Sequence, residues 1–101
     1  MESFIRTYQN PLENICKAHQ VKSLFAFGSL VRNEMNPDSD IDLLVEIAEQ
    51  DPFRYSDCYF ELKNKLEILF GRKVDLLEKK SLRNPYLKNE IDSTKVLLYG
   101  K

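Results

Sequence analysis

The chain has 101 residues, 43% of them apolar and 31% charged, with 16 acidic against 15 basic side chains and a formal net charge of -1. That length fits one domain around one hydrophobic core and excludes a two-domain enzyme. The apolar share is too high and the net charge too small for a disordered chain, and no apolar run approaches the roughly 20 residues that span a bilayer. Residues 1 to 20 scatter Glu2, Arg6, Glu13 and Lys17 through the segment, which does not read as a secretory leader; a cytoplasmic location is expected.

In chain order, Glu2 to Tyr8 can begin a helix. Asn10-Pro11-Leu12-Glu13 reads as a second helix start, with Asn10 as N-cap, Pro11 at the first helical position and Glu13 closing a capping box. Leu12, Ile15 and Cys16 then form an apolar stripe, and His19 falls at the helix end as a solvated residue. Val21 to Phe27 is rich in Val, Leu and Phe and stops at Gly28-Ser29, the pattern of a strand ending in a tight turn. Ser29 to Arg32 opens a short helix, and Asn36-Pro37-Asp38-Ser39 is a loop.

From Ile41 to Ile47 the period is two: Ile41, Leu43, Val45 and Ile47 make one apolar face, and Asp40, Asp42, Leu44 and Glu46 make the other. Two carboxylates therefore project from one side of a buried strand. Pro52 to Phe70 carries apolar residues at mostly helical intervals, and Gly71 sits where a glycine ends a helix. Lys73 to Glu78 is a third strand, with Val74 and Leu76 facing one way and Asp75 and Leu77 the other. Asn84-Pro85 starts a last short helix, and Lys95 to Tyr99 is a final strand. This order predicts an α+β (two-layer α/β) fold in one domain, residues 1–101, with one mixed sheet and helices packed on it.

The near-neutral total hides two runs. Seven acids and no Lys or Arg lie between Asn33 and Phe53, whereas six bases and two acids lie between Arg72 and Lys88. Cys16 and Cys58 show neither metal-ligand nor disulfide spacing and fit helical patterns as small core residues. A single His and no serine-hydrolase elbow leave a Ser/His/Asp triad without support.

The chemistry rests on Asp40, Asp42 and Asp75. Crowded carboxylates repel and raise one another's pKa, so folding alone gives little reason to place three on one sheet face. A divalent cation removes the conflict, and hard oxygen ligands on rigid strands suit Mg²⁺. Two such ions about 4 Å apart would clamp the attacking and leaving oxygens of a phosphoryl or nucleotidyl transfer. Gly28-Ser29 complements them: a strand-end glycine lets backbone approach an anion, and the N–H groups that follow, with the Ser hydroxyl, can hold phosphate oxygens.

Gly28-Ser29, ten intervening residues, Asp40-x-Asp42 and a later strand acid, Asp75, resemble the hallmark of the minimal nucleotidyltransferases of the DNA polymerase β superfamily. Phe25-Ala26-Phe27 before the turn, Pro37-Asp38-Ser39 before the acids and Gly71-Arg72-Lys73-Val74 before Asp75 extend the likeness over roughly residues 20 to 100. The chain departs from the family in Leu30-Val31-Arg32-Asn33, where Ala-Arg-Gly commonly follows Gly-Ser-x.

The resemblance implies a polymerase-β-like core over residues 21–101, preceded by an N-terminal helical segment, 1–20. It implies that Asp40, Asp42 and Asp75 are catalytic and hold two Mg²⁺ ions, Mn²⁺ being the alternative. Gly28, Ser29, Arg32 and Ser39 would bind the nucleotide, although Arg32 reads equally well as a surface ion pair. It further implies transfer of AMP from ATP to an acceptor hydroxyl, with pyrophosphate released. Short stand-alone members of the family are antitoxins that add AMP to a tyrosine of a HEPN-domain RNase toxin, so the expected partners are a nucleoside triphosphate and such a toxin; a homo-oligomer is compatible.

The rival from another class is a catalytically silent antitoxin that neutralises its partner by contact, a role that does not need three converging carboxylates. A haloacid-dehalogenase-type phosphatase wants an apolar strand before its first Asp, where this chain has Asn36-Pro37-Asp38-Ser39, and a sugar-nucleotide glycosyltransferase is normally much longer. No basic recognition helix supports sequence-specific binding to nucleic acid, and no segment supports a membrane role.

Overall fold

The computed structural model describes residues 2–28, 31 and 40–100. Within them, the order is α1 (Glu2–Ala18), β1 (Val21–Phe27), β2 (Ile41–Ile47), α2 (Pro52–Phe70), β3 (Val74–Glu78), a single 3₁₀ turn (Lys79–Ser81), α3 (Pro85–Thr94) and β4 (Val96–Gly100). The four strands form one mixed sheet in the order β3-β2-β1-β4. β1 runs antiparallel to β2 and β4, and β2 runs parallel to β3 through the α2 crossover.

Local chemistry sets the helix ends. The Asp51 carboxylate accepts from the backbone N–H groups of Phe53 (2.9 Å) and Arg54 (3.4 Å), and Pro52 follows it, so α2 starts with two otherwise orphaned donors satisfied. Gly71 ends the helix at φ 65°, where its N–H donates to the Glu67 carbonyl. Asn84 caps α3 in the same manner as Asp51, through Tyr86 and Leu87.

The apolar face of β2, with Leu24 and Ala26 of β1 and Val74 and Leu76 of β3, packs against Leu12 and Cys16 of α1 and Leu62, Leu66 and Phe70 of α2. The spacing of the three α2 residues, i, i+4 and i+8, keeps them on one stripe. Tyr8 meets Phe70 edge to face, 5.1 Å between ring centres, and ties α1 to the end of α2. The other face of the sheet carries Phe25, Phe27, Asp42, Leu44, Glu46, Asp75 and Leu77. Helix α3 crosses it, with Ile91 buried and Lys95 Nζ 4.5 Å from the centre of the Phe25 ring.

Two local expectations are corrected. Asn10-Pro11 does not start a helix: Pro11 lies inside the continuous α1. The proline removes one backbone donor, but tertiary packing on both sides of it, through Tyr8 and through Leu12 and Cys16, holds the segment helical. His19 is also not solvated. It is 8% exposed, its Nδ1 lies 2.8 Å from the Ile15 carbonyl and its Nε2 lies 3.5 Å from Glu61. The short helix expected at Ser29 to Arg32 and the loop at Asn36 to Ser39 lie outside the described residues, apart from Val31, which packs against the core. Cys16 is fully buried as expected, whereas Cys58 is half-buried at the core margin.

Candidate active site

The site is built from three neighbouring strand ends. In the ladder Phe27 stands opposite Asp42, and Asp42 opposite Asp75. Because strands lie about 4.8 Å apart, this register puts the β2 and β3 acids side by side on one face, at the end where β1 turns. The same alternation that buries Ile41, Leu43, Val74 and Leu76 fixes the direction of both acids, since a one-residue slip would send them into the core. Asp40 lies exposed one residue before β2, and the N–H of Ile41 just after it donates to the Lys73 carbonyl at 3.0 Å, anchoring β2 to β3 where the acids emerge.

Gly28 is the contact between the β1 turn and these acids. Its φ is 71°, a left-handed conformation open to glycine, and a Cβ placed on it would stand 2.3 Å from Asp42 Oδ2. The absent side chain is what lets the Asp42 carboxylate lie against the turn. Ser29, Arg32 and Ser39, the remaining nucleotide-binding expectations, lie outside the described residues.

Among the described residues, no three His, Cys, Asp or Glu side chains stand together as a ready metal cage. Asp42 is turned toward Gly28 and Asp75 is exposed on its strand. The donor set still fits Mg²⁺ in kind: hard carboxylate oxygens on adjacent strand ends, in register, against a backbone cradle that a Cβ would fill.

Phe27, Gly28 and Asp42 line one side of a pocket of about 200 Å³, and the other side is helix α3, through Leu87, Glu90, Ile91 and Thr94. None of these four was apparent as a site residue in the sequence. Helical spacing puts Leu87, Ile91 and Thr94 on one face, but nothing local tells which face of the sheet α3 covers. Two larger depressions, about 880 and 550 Å³, lie toward the opposite end of β2, around Glu46, Tyr55 and Lys80, and include none of the motif acids.

That opposite end is where part of the basic run is spent. Lys79 pairs with Glu46 at 3.7 Å and Lys80 with Glu78 at 3.9 Å, and Lys80 also lies over the Tyr55 ring. The Tyr55 hydroxyl donates to Glu78 at 2.5 Å; burial first, and then this bond and the Glu78 charge, raise its pKa. Tyr59 donates to the Leu76 carbonyl at 2.6 Å, and burial, followed by the charges of Glu78 and Asp75, raises its pKa too.

Residues 10–98 match the nucleotidyltransferase domain family. The chain belongs to that family. Among relatives, it is 46% identical over 74 residues to a Methanocaldococcus jannaschii protein provisionally named a protein adenylyltransferase, covering 73% of each chain. It is 38% identical over 81 residues to the protein adenylyltransferase MntA of Thermococcus cleftensis, covering 72% of this chain and 79% of that one. A solved structure provisionally named a minimal nucleotidyltransferase matches with a TM-score of 0.76 at 29% identity, over 93% of this chain and 92% of that one. A second, the tri-AMPylated Shewanella oneidensis HEPN toxin in complex with its MNT antitoxin, matches in fold with a TM-score of 0.66 at 21% identity, over 96% and 73% of the two chains. The expectation of a nucleotidyltransferase with a mixed α+β sheet is thus met, and the Gly28, Asp42 and Asp75 strand ends lie within the family match. Among the described residues no helix is long and apolar enough to cross a membrane.

Proposed function

We propose that this nucleotidyltransferase is a Mg²⁺-dependent protein adenylyltransferase acting as an antitoxin, a single cytoplasmic domain that moves AMP from ATP onto a tyrosine hydroxyl of a HEPN-domain RNase toxin. The observation that carries the reading is the strand-end register, Phe27 opposite Asp42 opposite Asp75, with Gly28 against the Asp42 carboxylate. The names of the relatives support the protein acceptor, and the AMPylated HEPN toxin bound to a chain of the same fold supports the partner.

In this mechanism Asp40 and Asp42 would hold two Mg²⁺ ions, with Asp75 completing one of the sites. When bound, the ions neutralise phosphate charge and polarise the α-phosphate. Gly28 and Ser29 hold the β- and γ-phosphates, the glycine because its bare Cα leaves room beside the turn. The tyrosine oxygen attacks the α-phosphorus in line, the bond to the β-phosphate oxygen breaks, and pyrophosphate leaves with its electron pair. A carboxylate oxygen of Asp75 takes the hydroxyl proton. The residues contribute chiefly by orienting the reactants and placing fixed charge where the phosphorane charge develops.

Incubating the chain with α-labelled ATP, Mg²⁺ and the product of the adjacent gene tests this. The expected result is label on a tyrosine of that partner, lost when the metal is chelated. A partner silenced by binding, with no label, would instead establish the non-catalytic antitoxin.

A further inference from the structure

The wall of the active-site pocket opposite Asp42 has a definite chemical character. Glu90 is among its lining residues; its carboxylate only accepts hydrogen bonds, and among the described residues it is in no ion pair. Thr94, one turn on, lines it as well. Its hydroxyl proton is committed to the Glu90 carbonyl at 2.8 Å, which leaves its oxygen as an acceptor. Leu87, Ile91 and Phe27 fill the space between with apolar surface.

A wall of acceptors repels phosphate and calls for a neutral group bearing hydroxyl donors. The pocket, at about 200 Å³, is too small for a whole nucleotide; with the phosphates on its Gly28 side, its α3 side suits a group of sugar size. It also includes Asp42, beside which the α-phosphate would be held, and the group bonded directly to that phosphate is the ribose. Carboxylates recognise ribose hydroxyls elsewhere by the same chemistry, an acceptor-only oxygen pair facing a 2′-OH donor.

From this juxtaposition of Glu90 and Thr94 with Asp42 we infer that α3 is the sugar-recognition element of the site, with Glu90 accepting from the ribose 2′-hydroxyl and so selecting ribonucleotides over deoxyribonucleotides. The inference rests on the reading of the Gly28–Asp42 pocket as the nucleotide site, and it adds a specificity residue that the motif does not contain. Thr94 positions the wall by tying its hydroxyl to the helix backbone, and Leu87 packs against the sugar's carbon face.

The test compares ATP with 2′-deoxyATP in two readouts on the full chain: transfer to the partner, and calorimetric binding in the presence of Mg²⁺. The wild-type chain is expected to prefer ATP by about tenfold, the size of one hydrogen bond to a charged group. Glu90→Ala should raise KM and Kd for ATP about tenfold more than for 2′-deoxyATP, bringing their ratio near one. Glu90→Gln, which keeps an acceptor oxygen, should retain part of the preference.

A ratio in Glu90→Ala equal to that of the wild type would overturn the inference, as would equal weakening of both nucleotides or a change confined to ATP against GTP. The two readings fail separately. Transfer with an unmoved ribose preference leaves the transferase and removes the role of Glu90, whereas Glu90-dependent ribose selection in binding without any transfer does the reverse. A wild-type chain that binds neither nucleotide overturns both.

Discussion

Gly28 and Gly71 offer a paired experiment. Both have positive φ, 71° and 65°, so alanine at either site forces an L-residue into the left-handed region and costs about 1–2 kcal/mol. In a domain of this size that corresponds to a fall in Tm of about 4–8 °C per kcal/mol. The surroundings differ: a Cβ at Gly71 meets nothing within 4 Å, whereas at Gly28 it lands 2.3 Å from Asp42 Oδ2. Gly28→Ala must therefore move the carboxylate, the turn, or both, by about an ångström to restore ordinary contact. A shift of that size at a reacting centre costs on the order of 100-fold in rate. Thermal unfolding should show comparable losses of stability in the two variants. Transfer of labelled AMP, measured below both melting temperatures, should fall about 100-fold in Gly28→Ala alone. Equal transfer rates in the two variants would refute the claim that the Gly28–Asp42 contact sets the geometry of the site.

Three further outcomes follow from the packing. Burial, with a smaller contribution from the Glu13 charge, pushes the Cys16 thiol from its ordinary 9.0 up to about 12, so the native chain keeps a proton that the unfolded chain loses. The resulting contribution is whole below pH 9 and is lost as pH rises from there through about 12, at up to about 1.4 kcal/mol per pH unit; urea unfolding at successive pH values should show this slope, and Cys16→Ala should lack it. Asp51→Ala removes the α2 cap and should cost about 1 kcal/mol in urea unfolding, while Asp51→Asn should stay within a few tenths of a kcal/mol of the wild type. Leu66→Ala, at a fully buried position between α2 and the sheet, should cost about 2–5 kcal/mol by the same measurement.

What could be read from the sequence was what local chemistry decides. Pro52 and Gly71 mark α2 at both ends because a first-turn proline and a left-handed stop are short-range signals, and Asn84-Pro85 marks α3 for the same reason, whereas the Asp51 cap emerged only in the structure. The alternation through β2 places Asp42 on the face opposite the core, and the structure puts Asp75 beside it. The same local rules misplace Asn10-Pro11, whose signature matches a true N-cap but whose flanking residues are held helical by contacts with distant elements. His19 is buried by tertiary packing that no neighbour in sequence announces. Glu90 and Thr94 were hidden for a related reason: they join the site because α3 crosses the Asp42 face of the sheet, a choice of face that the ten residues of the helix do not encode.

The most direct test is the Asp40→Asn, Asp42→Asn double variant, assayed with α-labelled ATP, Mg²⁺ and the proposed HEPN partner beside the wild-type chain. Both substitutions keep side-chain volume and lie outside the buried core, so the circular dichroism spectrum and melting curve should match those of the wild type. The expected result is a folded double variant that transfers no AMP to the partner. Transfer by that purified variant at a rate near the wild type's would contradict it.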